Sequence, residues 1–161
     1  MSSTAIYPGT FDPITFGHID IMRRGLKIFD RIIVAVAQNA QKEPLFTLEE
    51  RIEMVKKSTV GIRGLKVEPF DGLMIDFAQK KNINVIIRGI RMVSDFEYEF
   101  QMALTNRKLA KSIETVFLMP SEEYSYVSSK LLKEAAFLGA GLNKFLPRIV
   151  EKKLKSKLKA L

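Results

Sequence analysis

The only histidine of the chain, His18, closes a run of turn-forming residues, Gly9-Thr10-Phe11-Asp12-Pro13-Ile14-Thr15-Phe16-Gly17-His18. Farther on, Lys42 sits in a polar stretch, Arg88 and Arg91 flank Gly89-Ile90, and Tyr124-Ser125-Tyr126-Val127-Ser128-Ser129-Lys130 brings three serine hydroxyls and a lysine. Cations, hydroxyls and exposed main-chain N–H groups at helix starts are what phosphate binding needs. Gathered in one crevice, Lys42, Arg88, Arg91 and an imidazolium at His18 would make a polyphosphate site. Other chemistries drop out. The chain has no cysteine, which removes disulfides, thiolate catalysis and cysteine metal sites, and one histidine cannot build a multi-histidine metal centre. Neither G-x-G-x-x-G nor G-x-x-x-x-G-K-[ST] occurs, so the usual dinucleotide and P-loop readings fail.

Taken singly, each residue has a plainer reading. His18 could cap a helix or face solvent, Arg88 and Arg91 could be surface charges, and lysine is commonplace in polar loops such as that of Lys42. Ser128 and Ser129 could cap a helix, and Glu99 could be an ordinary helix-face carboxylate. What favours function is where the elements put them.

Short apolar runs alternate with amphipathic stretches. Strands are expected at Thr4–Tyr7, Arg31–Ala37, Leu65–Phe70, Asn84–Ile87 and Glu114–Met119, the last stopped by Pro120. Helices are expected at Gly17–Phe29, from Thr47, at Gly72–Lys81, from Ser94 to about Leu109, from Ser128, and from about Asn143 to the end. Thr47-x-x-Glu50 and Ser94-x-x-Glu97 read as capping boxes, and the spacing of Phe96, Phe100 and Leu104 reads as a core face. Five strands separated by helices predict an α/β, Rossmann-like, doubly wound five-stranded parallel sheet with C-terminal helices, in a single domain over residues 1–161. In such sheets ligands bind beyond the carboxyl ends of the strands, and every residue named above follows a strand.

The net charge is +8, yet the last eighteen residues carry seven basic side chains against Glu151 alone, leaving the body with +2. The basicity belongs to a C-terminal helix at about 143–161, whose Leu154, Leu158 and Leu161 share one face. The expectation is a helix docked by its leucines with a solvated basic face. A rival class, a nucleic-acid-binding domain, draws on the pI of about 9.7. Against it, the body lacks a basic stripe interleaved with stacking aromatics. Pro8, Asp12 and Pro13 fall where a signal peptide would need its apolar core, and Ile32–Ala37 is too short to span a bilayer, so a soluble, cytoplasmic chain with no membrane partner is expected.

Residues Tyr7 to His18 resemble the first signature of nucleotidyltransferases bearing a T/HxGH motif. The resemblance extends in one register through Phe46–Arg51, Ile87–Arg91, Asp95–Glu99 and Phe117–Ser121, and over that length the chain is similar to the bacterial phosphopantetheine adenylyltransferase family. That resemblance implies transfer of AMP from ATP, with Mg²⁺ held mainly through the ATP phosphates, to 4′-phosphopantetheine, by in-line attack without a covalent enzyme intermediate. It implies that His18 stabilises the transition state, that Thr10 aligns both substrates, and that Lys42 and Arg88 hold the acceptor phosphate. Met74 would line the pantetheine channel. Phe11, Gly89, Ile90, Arg91 and Glu99 would shape the ATP site, with Tyr124, Ser125, Tyr126, Val127, Ser128, Ser129 and Lys130 wrapping the nucleotide. It also implies a homohexamer. The chain departs from the family pattern at Lys130, where a third small hydroxyl is expected, and at Phe137, where some members carry an arginine that grips coenzyme A. Transfer of AMP or CMP to another phosphorylated acceptor, such as nicotinamide mononucleotide or glycerol phosphate, is the nearest enzymatic alternative.

Overall fold

A computed structural model describes residues 3–38 and 43–160. The strands β1 (Thr4–Gly9), β2 (Arg31–Ala37), β3 (Leu65–Phe70), β4 (Val85–Gly89) and β5 (Glu114–Leu118) form one parallel sheet in the order β3-β2-β1-β4-β5. The chain winds outward from β1 to β3, then returns to the other side of β1 for β4 and β5. This is the doubly wound, Rossmann-like α/β sheet expected, and the reversal opens a crevice beyond the carboxyl ends of β1 and β4.

The central strands are apolar on both faces because both faces are covered. Along β2, Ile32, Val34 and Val36 join the core beneath one layer of helices, while Ile33 and Ala35 join the core beneath the other. Along β1, Ala5 and Tyr7 face the first core and Ile6 the second. That alternation is the two-residue period of a strand. Helices α1 (Phe16–Gly25), α2 (Leu48–Ser58), α5 (Ser129–Phe137) and α6 (Arg148–Lys159) send Met22, Met54, Leu132 and Leu154 into the first core. Helix α3 (Met74–Lys80) sends Ile75 and Ala78 into the second.

Strands β2 and β3 have the predicted bounds, whereas β1 and β4 each run two residues further, to Gly9 and Gly89, and so reach the crevice. Helix α1 ends at Gly25 rather than Phe29. A Cβ there would lie 2.7 Å from Ile32 Cδ1 and 3.0 Å from Ile87 Cδ1, so the missing side chain lets the helix end press on the sheet.

Two expectations fail at α4 (Val93–Leu109). The Ser94–Glu97 capping box does not form: Met92 is the N-cap, without a side-chain bond, and the Asp95 carboxylate accepts from Arg91. Phe96, Phe100 and Leu104, expected in the core, are 43%, 45% and 47% exposed, and no α4 residue is buried. The partly covered positions of the helix are Asp95, Glu99, Ala103 and Asn106, spaced four, four and three apart. The helix therefore turns a mostly polar face toward the sheet and an apolar one outward.

Helix α6 begins after Pro147, five residues later than expected, because the preceding turns carry Leu142 and Leu146 into the core. Leu154 is buried and Leu158 half-buried, as the docking of its leucines requires, and Leu161 lies outside the described residues. Its basic face is not simply solvated. Lys157 reaches Glu50 at 2.9 Å and Lys153 pairs with Glu53, both on α2, while Lys155 pairs with Glu151 at 2.7 Å. The acidic outer side of α2 is what Lys153 and Lys157 meet. Among the described residues, no helix is long and apolar enough to cross a membrane.

Candidate active site

Beyond the ends of β1 and β4 lies a cavity of about 300 Å³. Its floor is Tyr7 to Thr10, one wall is the start of α1, the other is Arg88, Gly89 and Arg91, and Tyr124 with Val127–Ser129 form the rim. The turn from β1 into α1 is strained at Phe11, whose φ is 51°. A bulky residue there costs about 1–3 kcal/mol. Phe11 offsets this by burying its ring, only 2% exposed, edge-on to His18 at 5.0 Å and Tyr7 at 5.6 Å between centroids. Full burial of such a side chain contributes about 1.5–3 kcal/mol. Phe11 thus backs the histidine, and its side chain does not line the cavity.

His18 is placed by a capping box that the sequence reading missed. Thr15 is the N-cap of α1, its Oγ1 accepts from the His18 N–H, and its own N–H donates to His18 Nδ1 at 3.0 Å. The imidazole stands where glutamate or glutamine usually closes such a box. A Nδ1 that accepts a main-chain N–H carries no proton, so the neutral ring holds its proton on Nε2, leaving that nitrogen as the donor open to a ligand. Burial first, and then the charges of Arg91 and Arg88, push the His18 pKa from 6.5 down to about 4. The residue is therefore an imidazole at neutral pH rather than an imidazolium.

Both arginines of the Arg88-Gly89-Ile90-Arg91 segment are held. Arg88 makes a two-pronged pair with Glu99, and its Nη1 donates to the Pro8 carbonyl at 3.1 Å. Burial pulls its guanidinium pKa down, but the hydrogen bonds and charge of Glu99 outweigh that and raise it above its usual value. Arg91 donates from Nε and Nη2 to Asp95 at 3.0 and 3.2 Å, and from Nη1 to the Val127 carbonyl at 2.8 Å. A guanidinium has five N–H donors, so both keep donors free for a ligand while the carboxylates fix the fork. Arg91 also links the β4 end to the rim.

The rim is tied down on both sides. Asp20 of α1 accepts the Ser121 N–H at 2.7 Å, and Ser129 Oγ donates to the Pro13 carbonyl at 2.7 Å. Ser128 caps α5 by accepting the Leu131 N–H at 3.1 Å, so its hydroxyl is engaged while the helix-start amides remain an anion-favouring feature. Of the predicted nucleotide residues, Thr10, His18, Gly89, Arg91, Glu99, Tyr124, Val127, Ser128 and Ser129 line this cavity. Ile90, Ser125, Tyr126 and Lys130 do not. Ser125 turns its hydroxyl to the Glu122 carbonyl, and Tyr126 packs on Phe145.

A second cavity of about 250 Å³ adjoins the first and shares Pro8, Gly9, Thr10, Arg88 and Glu99 with it. The rest of its lining is largely apolar, with Met74, Phe70 and Met102, and adds Asn106 and Tyr98 from α4. Met74 lines this second cavity. Asn106, Tyr98 and Met102 were missed, because the apolar spacing of α4 directed attention to its other face. Lys42 lies outside the described residues. No group of three or more His, Asp or Glu among the described residues could hold a metal ion, and Asp95 and Glu99 at the crevice are each committed to an arginine.

A cavity lined by His18, Arg88 and Arg91 joins a mostly apolar one at a shared threonine and arginine, at the switch point of a doubly wound sheet, and comparison with known proteins makes this a nucleotidyltransferase. The chain belongs to the cytidylyltransferase-like family, whose model matches residues 6–135. The similarity then narrows to one branch. The chain is 56% identical to the phosphopantetheine adenylyltransferase of Caldanaerobacter subterraneus subsp. tengcongensis, over 96% of this chain and 97% of the other. It is 53% identical to that of Thermodesulfovibrio yellowstonii, over 99% of both chains. To that of Moorella thermoacetica it is 53% identical, over 93% of this chain and 94% of the other.

Proposed function

We propose that the chain transfers the adenylyl group of ATP to 4′-phosphopantetheine, giving dephospho-coenzyme A and pyrophosphate, a step of coenzyme A biosynthesis. The observation that carries this reading is the meeting of two cavities across Thr10 and Arg88. One offers phosphate donors, the other a mostly apolar channel fit for a pantetheine arm. Near-complete alignment with relatives named for this activity supports it.

In this reading ATP occupies the cavity between α1 and Arg91, and the acceptor enters along Met74. An oxygen of the acceptor phosphate attacks the α-phosphorus of ATP, the new P–O bond forms, and the bond to the β-phosphate breaks to release pyrophosphate. The attacking phosphate is already anionic, so no general base is required. The neutral imidazole of His18 donates from Nε2 to an α-phosphate oxygen as charge builds there. Thr10 aligns the two phosphates, while Arg88 and Lys42 hold the acceptor phosphate against its repulsion by ATP. Arg91, Glu99 and the rim residues hold the nucleotide. Mg²⁺ would be held mainly through the ATP phosphates and would neutralise part of their charge, since the described residues form no carboxylate cluster that could hold it.

The outward apolar face of α4 supports a homo-oligomer. Contiguous exposed apolar surface of this kind is a mark of an interaction site, and Phe96, Phe100 and Leu104 are joined on it by Val93. A hexamer is the state the family resemblance implies. The enzymatic reading is tested by pyrophosphate release from ATP and Mg²⁺ with a panel of phosphorylated acceptors. Release with 4′-phosphopantetheine and not with nicotinamide mononucleotide or glycerol phosphate is expected. Preference for another acceptor would overturn it.

A further inference from the structure

Arg51 is 1% exposed, and its surroundings are unusual for a cation. It makes no ion pair among the described residues. It donates instead to three main-chain carbonyls: Nη1 to Thr10 and to Ala37, each at 2.8 Å, and Nε to Phe46 at 3.2 Å. Those carbonyls belong to three separate segments, the turn after β1, the last residue of β2, and the residue just ahead of α2. Burying a guanidinium is costly unless its donors are well used, so an arginine here must do something an apolar residue could not.

What it touches identifies the task. Thr10 lines both cavities, and Ala37 lines the second. Arg51 grips both from behind, on the side away from any ligand. The residue is itself firmly based, in the first turn of α2, where the Thr47–Glu50 capping box closes the helix start and Met54 and Val55 are buried. A neighbouring anchor repeats the device: Asp12 accepts the N–H groups of Leu45 and Phe46, each at 2.9 Å, and pairs with Lys133 of α5 at 2.5 Å.

We infer that Arg51 is a positioning residue for the transfer reaction: its guanidinium sets the main chain of Thr10 and Ala37, and with it the wall on which the acceptor phosphate is aligned. The inference rests on the function proposed above. It separates the two substrates, because the nucleotide side is held mostly by groups Arg51 does not touch, namely His18, Arg91 and the rim.

The test uses the full chain with Arg51→Lys and Arg51→Met. Lysine keeps the charge but not the fork, and methionine keeps approximate length but has no donor. Folding is checked by circular dichroism and thermal melting, ATP affinity by calorimetry without acceptor, and turnover by pyrophosphate release. Arg51→Lys is expected to fold and to lose about 10²-fold in kcat/KM for 4′-phosphopantetheine, the scale of an ångström's misplacement. Its ATP Kd should stay within about threefold, since a loss confined to the acceptor leaves nucleotide binding alone. Arg51→Met should lose more, so lysine counts as partial rescue. A lower melting temperature with unchanged kinetic constants would reduce Arg51 to a fold residue and overturn the inference. Equal damage to ATP and acceptor, or failure of both variants to fold, would do the same. If the wild-type chain ignores 4′-phosphopantetheine, the acceptor has been misassigned. The same comparison then runs with the acceptor the panel selects, so the two failures are told apart.

Discussion

The two helical walls of the crevice are built on opposite plans. Helix α1 is anchored within the chain: Thr15 and His18 close its start on each other, Ile19, Ile21 and Met22 are buried, and Asp20 fastens it to Ser121. Helix α4 buries nothing. The Arg88–Glu99 and Arg91–Asp95 pairs tie its polar side to the site, while Phe100 stays half exposed and stacks on Phe96, which also meets Phe117 of β5. His18, the proposed transition-state donor, therefore sits on the wall that its own chain makes rigid. The wall facing the acceptor depends on ion pairs and on whatever covers the outer side. A preorganised donor gains most from a fixed base, whereas a channel that admits a flexible arm can be completed by a neighbour.

The largest expected effect strikes the rigid wall. His18→Ala removes a donor whose contribution rises in the transition state, and should lower kcat by about 10²–10³-fold with little change in ATP affinity. Steady-state kinetics with calorimetry checks this, and a variant keeping half its activity would put the donor elsewhere. On the other wall, Phe100→Glu should leave the chain folded but dissociate it, because it places a charge amid the exposed apolar face. Light scattering reads the mass. If the assembly survives, α4 is not the contact surface.

Smaller effects follow from titration. His18 has its folded pKa lowered to about 4 from 6.5, so between those values the unfolded chain binds the extra proton. This residue therefore costs stability progressively as the pH falls from 6.5 toward 4. In His18→Gln that component is absent, and the melting-temperature difference between wild type and variant should shift against the wild type across this window. A difference independent of pH would mean that the ring is not held neutral. The smallest effect belongs to α6. Replacing Lys152, Lys153, Lys155, Lys157 and Lys159 by Gln leaves the catalytic walls intact, so kcat should stay within about threefold. Losing the pairs to Glu50 and Glu53 should lower the melting temperature by no more than a few degrees, since solvent-exposed ion pairs contribute little to stability.

Much of the frame was legible because it follows local rules. The β-branched run at Arg31–Ala37 and the Thr47–Glu50 box appear where the pattern places them. So do the crevice positions of Thr10, His18, Arg88 and Arg91, since a residue just after a parallel strand lies at the binding edge. The failures have separate causes. Phe96, Phe100 and Leu104 carry a core-like period, but that period gives a face without saying whether this chain or another covers it. The Ser94–Glu97 box lost to Arg91, which draws Asp95 into an ion pair. The Thr15–His18 box went unread because histidine is not the residue the rule looks for, although the spacing of three was there to be seen.

In the proposed reaction the substrates in the two cavities react directly with each other across Thr10 and Arg88. The most direct test is the stereochemistry at the α-phosphorus, with ATP bearing a chiral α-phosphorothioate and 4′-phosphopantetheine as acceptor. A single in-line displacement inverts the configuration of the transferred group, and inversion is the predicted result. Retention would contradict the account, because it requires two displacements and hence a protein group that carries the adenylyl moiety between them.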